Sequence, residues 1–192
     1  MRCCRVLLAL LLVPTGNVAA DGLSASSAAQ GMKVITSQSD NVASSTANPR
    51  RTLTLPDLEG APHSLTEWQG KVILLNFWAS WCAPCQYEIR DLVAWQEKYS
   101  ALGLQIVGVG VDVVQKLRNV QRTLEINYPV LVADPSRYPN VMAVWGNRAG
   151  TVPHSVVINR EGSVVYIHRG LMSEETFAEN ILPLLEHNEH SP

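Results

Sequence analysis

Two cysteines, Cys82 and Cys85, stand two residues apart in the stretch NFWASWCAPCQYE, Asn76 to Glu88, directly after a run of apolar and aromatic residues. Such a pair can supply half of a zinc site, close a static disulfide, or cycle between dithiol and disulfide. A structural zinc site needs four ligands, most often from a second Cys pair or a His pair. The only other cysteines, Cys3 and Cys4, sit at the extreme N-terminus. His63, His154 and His168 are scattered, and His187 and His190 lie in a polar tail, so no metal is expected. A static bridge stabilises by closing a long loop of the unfolded chain, and two intervening residues close almost nothing. Redox cycling is the chemistry that this spacing suits best.

That chemistry needs elements to place it. KVILLNFW, Lys71 to Trp78, is an almost continuous apolar run whose length and Val/Ile content suit a central strand buried on both faces. The spacing of Ile89, Leu92, Val93 and Trp95 predicts a helix from about Pro84 to Ser100, ended by Gly103. Cys82 therefore falls at a strand-to-helix junction, and Pro84 suits a first helical turn, where a missing N–H costs nothing. Free N–H groups and the partial positive charge of a helix N-terminus favour thiolate over thiol at Cys82. Cys85, one turn inside, is the shielded partner that resolves a mixed disulfide. Trp78 and Trp81 are expected to limit water access around the pair.

Around this centre, TLTLPDLEGAPHSL suggests short strands about a turn. Leu104 to Val111 is expected as a second buried strand, 114 to 124 as a helix, Tyr128 to Ala133 as a short strand and Pro139 to Trp145 as a short helix. Val156 to Ile158 and VVYIHR flank a hairpin turn at Asn159 to Ser163. Ser173 caps a last helix that runs to about Leu185, with Glu174 and Glu175 in its first turn. The predicted order, β-β-β-α-β-α-β-α-β-β-α, argues for a mixed sheet with parallel crossovers.

The chain has 192 residues, 46% of them hydrophobic and 17% charged, with a net charge of -2. This fits one α/β domain with extensions and gives no basic face for nucleic acid. Arg2 and Arg5, the apolar run VLLALLLV and the small residues before Asp21 form the three-part pattern of a signal peptide, with cleavage expected after Ala20. An uncleaved membrane anchor is the alternative, although the run is well short of the roughly 20 residues needed to span a bilayer. Cleavage would leave Cys82 and Cys85 as the only cysteines, and 13 Lys and Arg against 17 Asp and Glu. Residues 21–50, rich in Ser and Ala and poor in large apolar side chains, are expected as a flexible tether. The folded domain is then 51–187, with 188–192 as a tail.

The central stretch resembles the thioredoxin superfamily and, within it, the exported TlpA/ResA/CcmG-like thiol-disulfide oxidoreductases. The resemblance covers about Leu53 to Leu185 and rests also on LPDLEGAPHSLTEWQGK, GLQIVGVGVD, YPVLVADP and GTVPHSVVINREGSVVYIHRG. It implies a thioredoxin-like fold, a central mixed β-sheet flanked by helices, with an N-terminal β-hairpin extension. It implies catalysis by Cys82 and Cys85 with no other cofactor, and a cis Pro153 against the cysteines, with Trp81, Val152 and Pro153 binding substrate. It further implies an exported or periplasmic monomer that reduces protein disulfides, as in cytochrome c maturation, with a membrane thiol-disulfide reductase as electron donor. A disulfide-forming oxidant, a thiol peroxidase and a redox-silent binding module are the alternatives. A large helical insertion has no room in this chain, Ala79 stands where a peroxidase usually has Thr, and the intact cysteine pair argues against a silent module.

One departure concerns the proton. Asn76 stands where thioredoxin has a buried Asp, and Asn takes no proton. Glu88, Asp112 and His154 are the candidates to tune or accept one. The plainer reading of Glu88 is a solvated helix charge, and that of Asp112 a strand-end or cap residue. His154 either tunes the thiolate or lies exposed on the rim.

Overall fold

The computed structural model describes residues 53–186. The signal peptide, the tether and the C-terminal tail expected from the sequence lie outside the described residues. The chain opens with an antiparallel pair, β1 (Thr54–Pro56) and β2 (Pro62–Ser64), the expected N-terminal hairpin. A turn of 3-10 helix follows, Leu65–Trp68, in which the Ser64 side chain and the Glu67 carboxylate cap each other's backbone N–H groups.

The central sheet is built from β3 (Val72–Trp78), β4 (Leu104–Gly110), β5 (Val130–Val132), β6 (His154–Ile158) and β7 (Val164–Arg169), in the spatial order β5-β4-β3-β6-β7. β3, β4 and β5 run parallel, and β6 and β7 are antiparallel to their neighbours. The helix α1 (Ala83–Tyr99) connects β3 to β4, and α2 (Val114–Thr123) connects β4 to β5. Parallel neighbours require such crossovers, whereas the β6–β7 pair closes through Asn159 to Ser163, where the Asn159 N–H donates to Ser163 O over 2.9 Å. α3 (Val141–Val144) precedes β6, and α4 (Glu174–Asn180) and α5 (Leu182–Glu186) follow β7.

β3 and β4 are buried along their whole length because layers cover both faces. Alternation along β3 divides the core. Val72, Leu74 and Trp78 pack with Ile89 and Leu92 of α1, Leu117 of α2 and Phe177 of α4. Ile73, Leu75 and Phe77 pack on the other face with Leu55, Trp145, Val156 and Ile158. Leu117 lies so close to Gly110 that a Cβ there would stand 2.6 Å from its methyl carbons, which makes Gly the residue that lets α2 approach the sheet. Burial of a leucine side chain of this kind is worth about 2 kcal/mol.

Two expected elements differ. The strand expected over Tyr128 to Ala133 is only three residues long, because Pro129 has no N–H to give a ladder; its carbonyl alone joins, accepting from Gly108 N over 2.9 Å. The single C-terminal helix is two. Pro183, in the first turn of α5, has no N–H for the carbonyl four residues back and crowds it, so the helix breaks at Ile181.

Candidate active site

Trp78 ends β3, and the next three residues carry the chain over the sheet edge. This loop is held at several points. Cys82 N donates to Ala79 O at 3.1 Å, the Gln86 side-chain amide donates to Ser80 O at 2.9 Å, and the Ser80 hydroxyl donates to the Asp112 carboxylate. Cys82 caps α1: its backbone is extended, and its sulfur accepts from Cys85 N at 3.2 Å. Pro84 occupies the first helical turn, as expected. Cys82 and Cys85 are joined in a disulfide, with their Cα atoms 5.3 Å apart. Cys85 is fully buried and Cys82 is only 5% exposed, so the attacking candidate lies less open in the disulfide form than its place at a helix start suggested.

A second loop meets the disulfide. The Val152–Pro153 peptide is cis, and the Val152 carbonyl oxygen lies 3.8 Å from Cys82 Sγ. Pro153 O accepts from Gly170 N at 3.0 Å, which ties this loop to the one after β7. Buried Asn147 braces the approach: its amide donates to Thr151 O at 2.6 Å, and its oxygen accepts from Thr151 N at 3.3 Å. The polar loop around Asn147 thus shapes the rim.

Behind the cysteines lies a carboxylate. Glu88 is fully buried, one turn beyond Cys85 on the inner face of α1. Its Oε1 accepts from Met172 N and its Oε2 from the Asn76 amide, each over 2.9 Å; that amide also donates to Ser155 Oγ at 2.9 Å. Burial pushes the Glu88 carboxyl up to about 7, against the two hydrogen bonds, which favour the anion. The expectation of a solvated helix charge is therefore corrected. Cys85, Glu88, Ile89 and Leu92 share one stripe at helical spacing, and the stripe faces the sheet. A buried acid within a turn of a redox cysteine is able to take and return a proton near neutral pH.

Sequence comparison agrees with this geometry. Residues 46–167 match the AhpC/TSA family. The thiol-disulfide oxidoreductase ResA of Geobacillus thermodenitrificans is 31% identical over 66% of this chain and 71% of its own, and that of Halalkalibacterium halodurans is 32% identical over 67% and 73%. A thiol:disulfide interchange protein of the thioredoxin family from Chlorobium tepidum superposes with a TM-score of 0.61 at 29% identity, over 70% of this chain and 94% of its own. The chain belongs to the AhpC/TSA family, within the thioredoxin superfamily. It is a ResA-like thiol-disulfide oxidoreductase with the expected thioredoxin-like fold.

Other site expectations for this oxidoreductase fare differently. His154 is corrected: it is neither on the rim nor beside the thiolate. Strand alternation in β6 sends Ser155 and Val157 toward α1 and sends His154, Val156 and Ile158 to the opposite layer. There the imidazole is buried against Phe77, its Nε2 donates to Trp145 O at 3.0 Å, and burial lowers its pKa. Asp112 takes the strand-end role. It accepts from Val113 N at 2.7 Å as well as from Ser80, and Lys116 stands 3.6 Å away, so its carboxylate is committed to holding two loops together. Of the two tryptophans expected to screen the pair, only Trp78 is buried; Trp81 is 70% exposed. Tyr87, one turn along α1, is exposed as well.

Sequence reasoning missed Ser155 and the Met172 N–H. Ser155 carried a faint signal, as a polar residue inside an apolar strand facing the polar Asn76 across the β3–β6 ladder. A backbone N–H carries none. Among the described residues, no three His, Cys, Asp or Glu side chains come together as metal ligands.

Proposed function

We propose that the chain is an exported reductant of protein disulfides, acting through the Cys82–Cys85 couple with no other cofactor. The observation that carries this reading is the disulfide at the N-terminus of α1, beside the Val152 carbonyl and one turn from buried Glu88. In the dithiol form, the helix N-terminus stabilises a Cys82 thiolate. Cys82 Sγ attacks one sulfur of the substrate disulfide; that S–S bond breaks, and the other substrate sulfur leaves and is protonated. Glu88 takes the Cys85 proton, and the Cys85 thiolate attacks Cys82 Sγ. The mixed disulfide then breaks, the second substrate sulfur leaves as a thiolate and is protonated, and the Cys82–Cys85 disulfide forms. Two electrons have passed to the substrate.

A substrate segment lies as an extended chain beside half-buried Val152, next to the cis Pro153, and against exposed Trp81. Two electrons from a donor dithiol restore the enzyme. In an exported protein that donor is a membrane thiol-disulfide reductase, and apocytochrome c, whose haem-binding cysteines must be kept reduced, is a fitting substrate. The signal-peptide pattern of residues 1–20 supports export. The described residues contain no helix long and apolar enough to cross a membrane. The protein works as a monomer in this reading.

Trapping tests the scheme. Cys85→Ala lacks the resolving thiol and should accumulate mixed disulfides with envelope proteins, as bands on non-reducing gels that vanish with reductant; Cys82→Ala should accumulate none. The opposite pattern would reverse the roles. An equilibrium potential for the couple near roughly -270 mV fits a reductant, whereas one near roughly -120 mV would make the protein an oxidant.

A further inference from the structure

The contacts around Glu88 suit only one of its charge states. Both carboxylate oxygens face donors: Oε1 faces Met172 N–H and Oε2 faces the Asn76 amino group. Met172 N–H is a backbone group and can only donate, so Oε1 must remain an acceptor in either state. Oε2, whose partner is a side chain that can turn, is then the oxygen that best takes a proton. There it meets the Asn76 Nδ2 amino group 2.9 Å away, and two donors cannot share that contact. An Oε2–H aimed along that contact needs an acceptor at the position Nδ2 now holds.

Asn76 carries one. Its Oδ1 is buried and has no hydrogen-bond partner among the described residues, so nothing bonded to Oδ1 holds the amide in its present orientation. A half-turn about the terminal torsion exchanges Oδ1 and Nδ2 with almost no change of shape. The second contact of Nδ2 adapts as well, because the Ser155 hydroxyl can accept or donate.

We propose that the Asn76 side-chain amide inverts each time Glu88 gains or loses its proton, with Ser155 reversing its hydroxyl, so that the same two contacts serve both charge states of the acid. The inference rests on the reading of Glu88 as the proton acceptor for Cys85, and it assigns Asn76 and Ser155 as positioning residues for that step. With the carboxylate, Nδ2 donates to Oε2 and to Ser155 Oγ. With the acid, Oδ1 accepts from Oε2–H and from Ser155 Oγ–H. A side chain that could only donate would favour the carboxylate alone, and an aspartate at position 76 would add a second buried charge. An invertible amide lets the proton come and go while the carboxyl stays in place.

The other groups that face Glu88 are few. Asp91, on α1, opposes its ionisation, and Tyr128, just before β5, has a buried hydroxyl without a partner among the described residues. Cys85 shares its helix face, and among the described residues no cation acts on it. Burial sets the midpoint at about 7, so the inversion falls in the neutral range.

The test is NMR on the full-length oxidised protein, in which disulfide-bonded Cys82 and Cys85 do not titrate. Glu88 is followed by its carboxyl carbon, and Asn76 by its side-chain amide. Above the Glu88 midpoint, nuclear Overhauser contacts from the Asn76 amino protons to the Ser155 Hβ protons should be strong; below it they should disappear. Glu88→Gln should show the low-pH pattern at every pH, because Met172 N–H fixes the glutamine oxygen and turns its amino group toward Asn76. An Asn76–Ser155 pattern unchanged through the wild-type Glu88 titration overturns the proposal, as does a high-pH pattern in Glu88→Gln. The wild-type titration decides alone if the variant does not fold. The underlying reading fails separately: if Glu88→Gln reduces insulin with the wild-type rate and pH profile, Glu88 is not the proton acceptor, whatever the amide does.

Discussion

Glu88 and His154 are buried on opposite faces of the central sheet, and only Glu88 meets the cysteines. Glu88 lies on the α1 side, held by Met172 N–H and Asn76. His154 lies on the other side, held by Trp145 O and packed on Phe77. His154 directly follows Pro153 in sequence, whereas Glu88 lies 65 residues before it, yet Glu88 belongs to the site and His154 to the opposite core. The difference teaches that in a strand the face outranks the neighbourhood. One residue of offset in β6 moves a side chain through the sheet, and Ser155, not His154, becomes the partner of the chemistry.

The faces should also respond oppositely to pH. The folded protein holds the Glu88 proton at about 7 rather than at the ordinary 4.5, more tightly than the unfolded chain does. Stability is therefore unaffected by Glu88 below the unfolded value, falls as pH rises from there, and is lower by about 3 kcal/mol above the folded value. His154 is depressed below its ordinary 6.5. Its contribution is fully present above that value and is lost as pH falls through the depressed one.

The largest effect is expected from Glu88→Gln. Disulfide reduction should slow by on the order of 10²-fold, with the inflection near neutral pH removed, as measured by insulin reduction. Against wild type, the same variant should gain up to about 3 kcal/mol in denaturant unfolding between about pH 5 and about pH 8. Equal pH slopes for the two proteins would break the comparison on this face. His154→Phe should leave the reduction rate and its pH profile unchanged. It should cost about 1–3 kcal/mol at neutral pH by leaving Trp145 O without its donor, and it should flatten the loss of stability on the acid side. A shifted reaction profile would join His154 to the site after all. Asp112→Ala should have the smallest effect. Without acceptors for Ser80 and Val113 N, stability should fall by about 1 kcal/mol in thermal unfolding, and reduction should slow far less than in Glu88→Gln.

Much of the site was legible. The Cys82–Cys85 spacing, Pro84 in the first turn and the apolar run of β3 are local signals, and the structure puts each where its local physics requires. The cis Pro153 was legible only through family resemblance, since nothing in the residues around it dictates the isomer. Glu88 was half legible: its spacing from Cys85 puts both on one helical stripe, but a carboxylate is read as solvated unless its partners are known. Those partners are Asn76, 12 residues before it, and a backbone N–H, 84 residues after it. The break between α4 and α5 was written plainly in Pro183, and the periodicity around it masked the signal.

By itself, the sequence determined which groups carry the electrons, at which end of which helix they sit, and that a covered mixed sheet supports them. Those features follow from period, apolar run length and the conformational limits of proline, all of which act over a few residues. Tertiary structure alone decided where the proton can go. That choice depends on which face of β6 turns toward α1, on the meeting of Asn76, Ser155 and Met172 N–H around one carboxyl, and on the loss of water from that carboxyl. Desolvation and hydrogen-bond partnership are properties of the assembled layers, and no short stretch of the chain contains them.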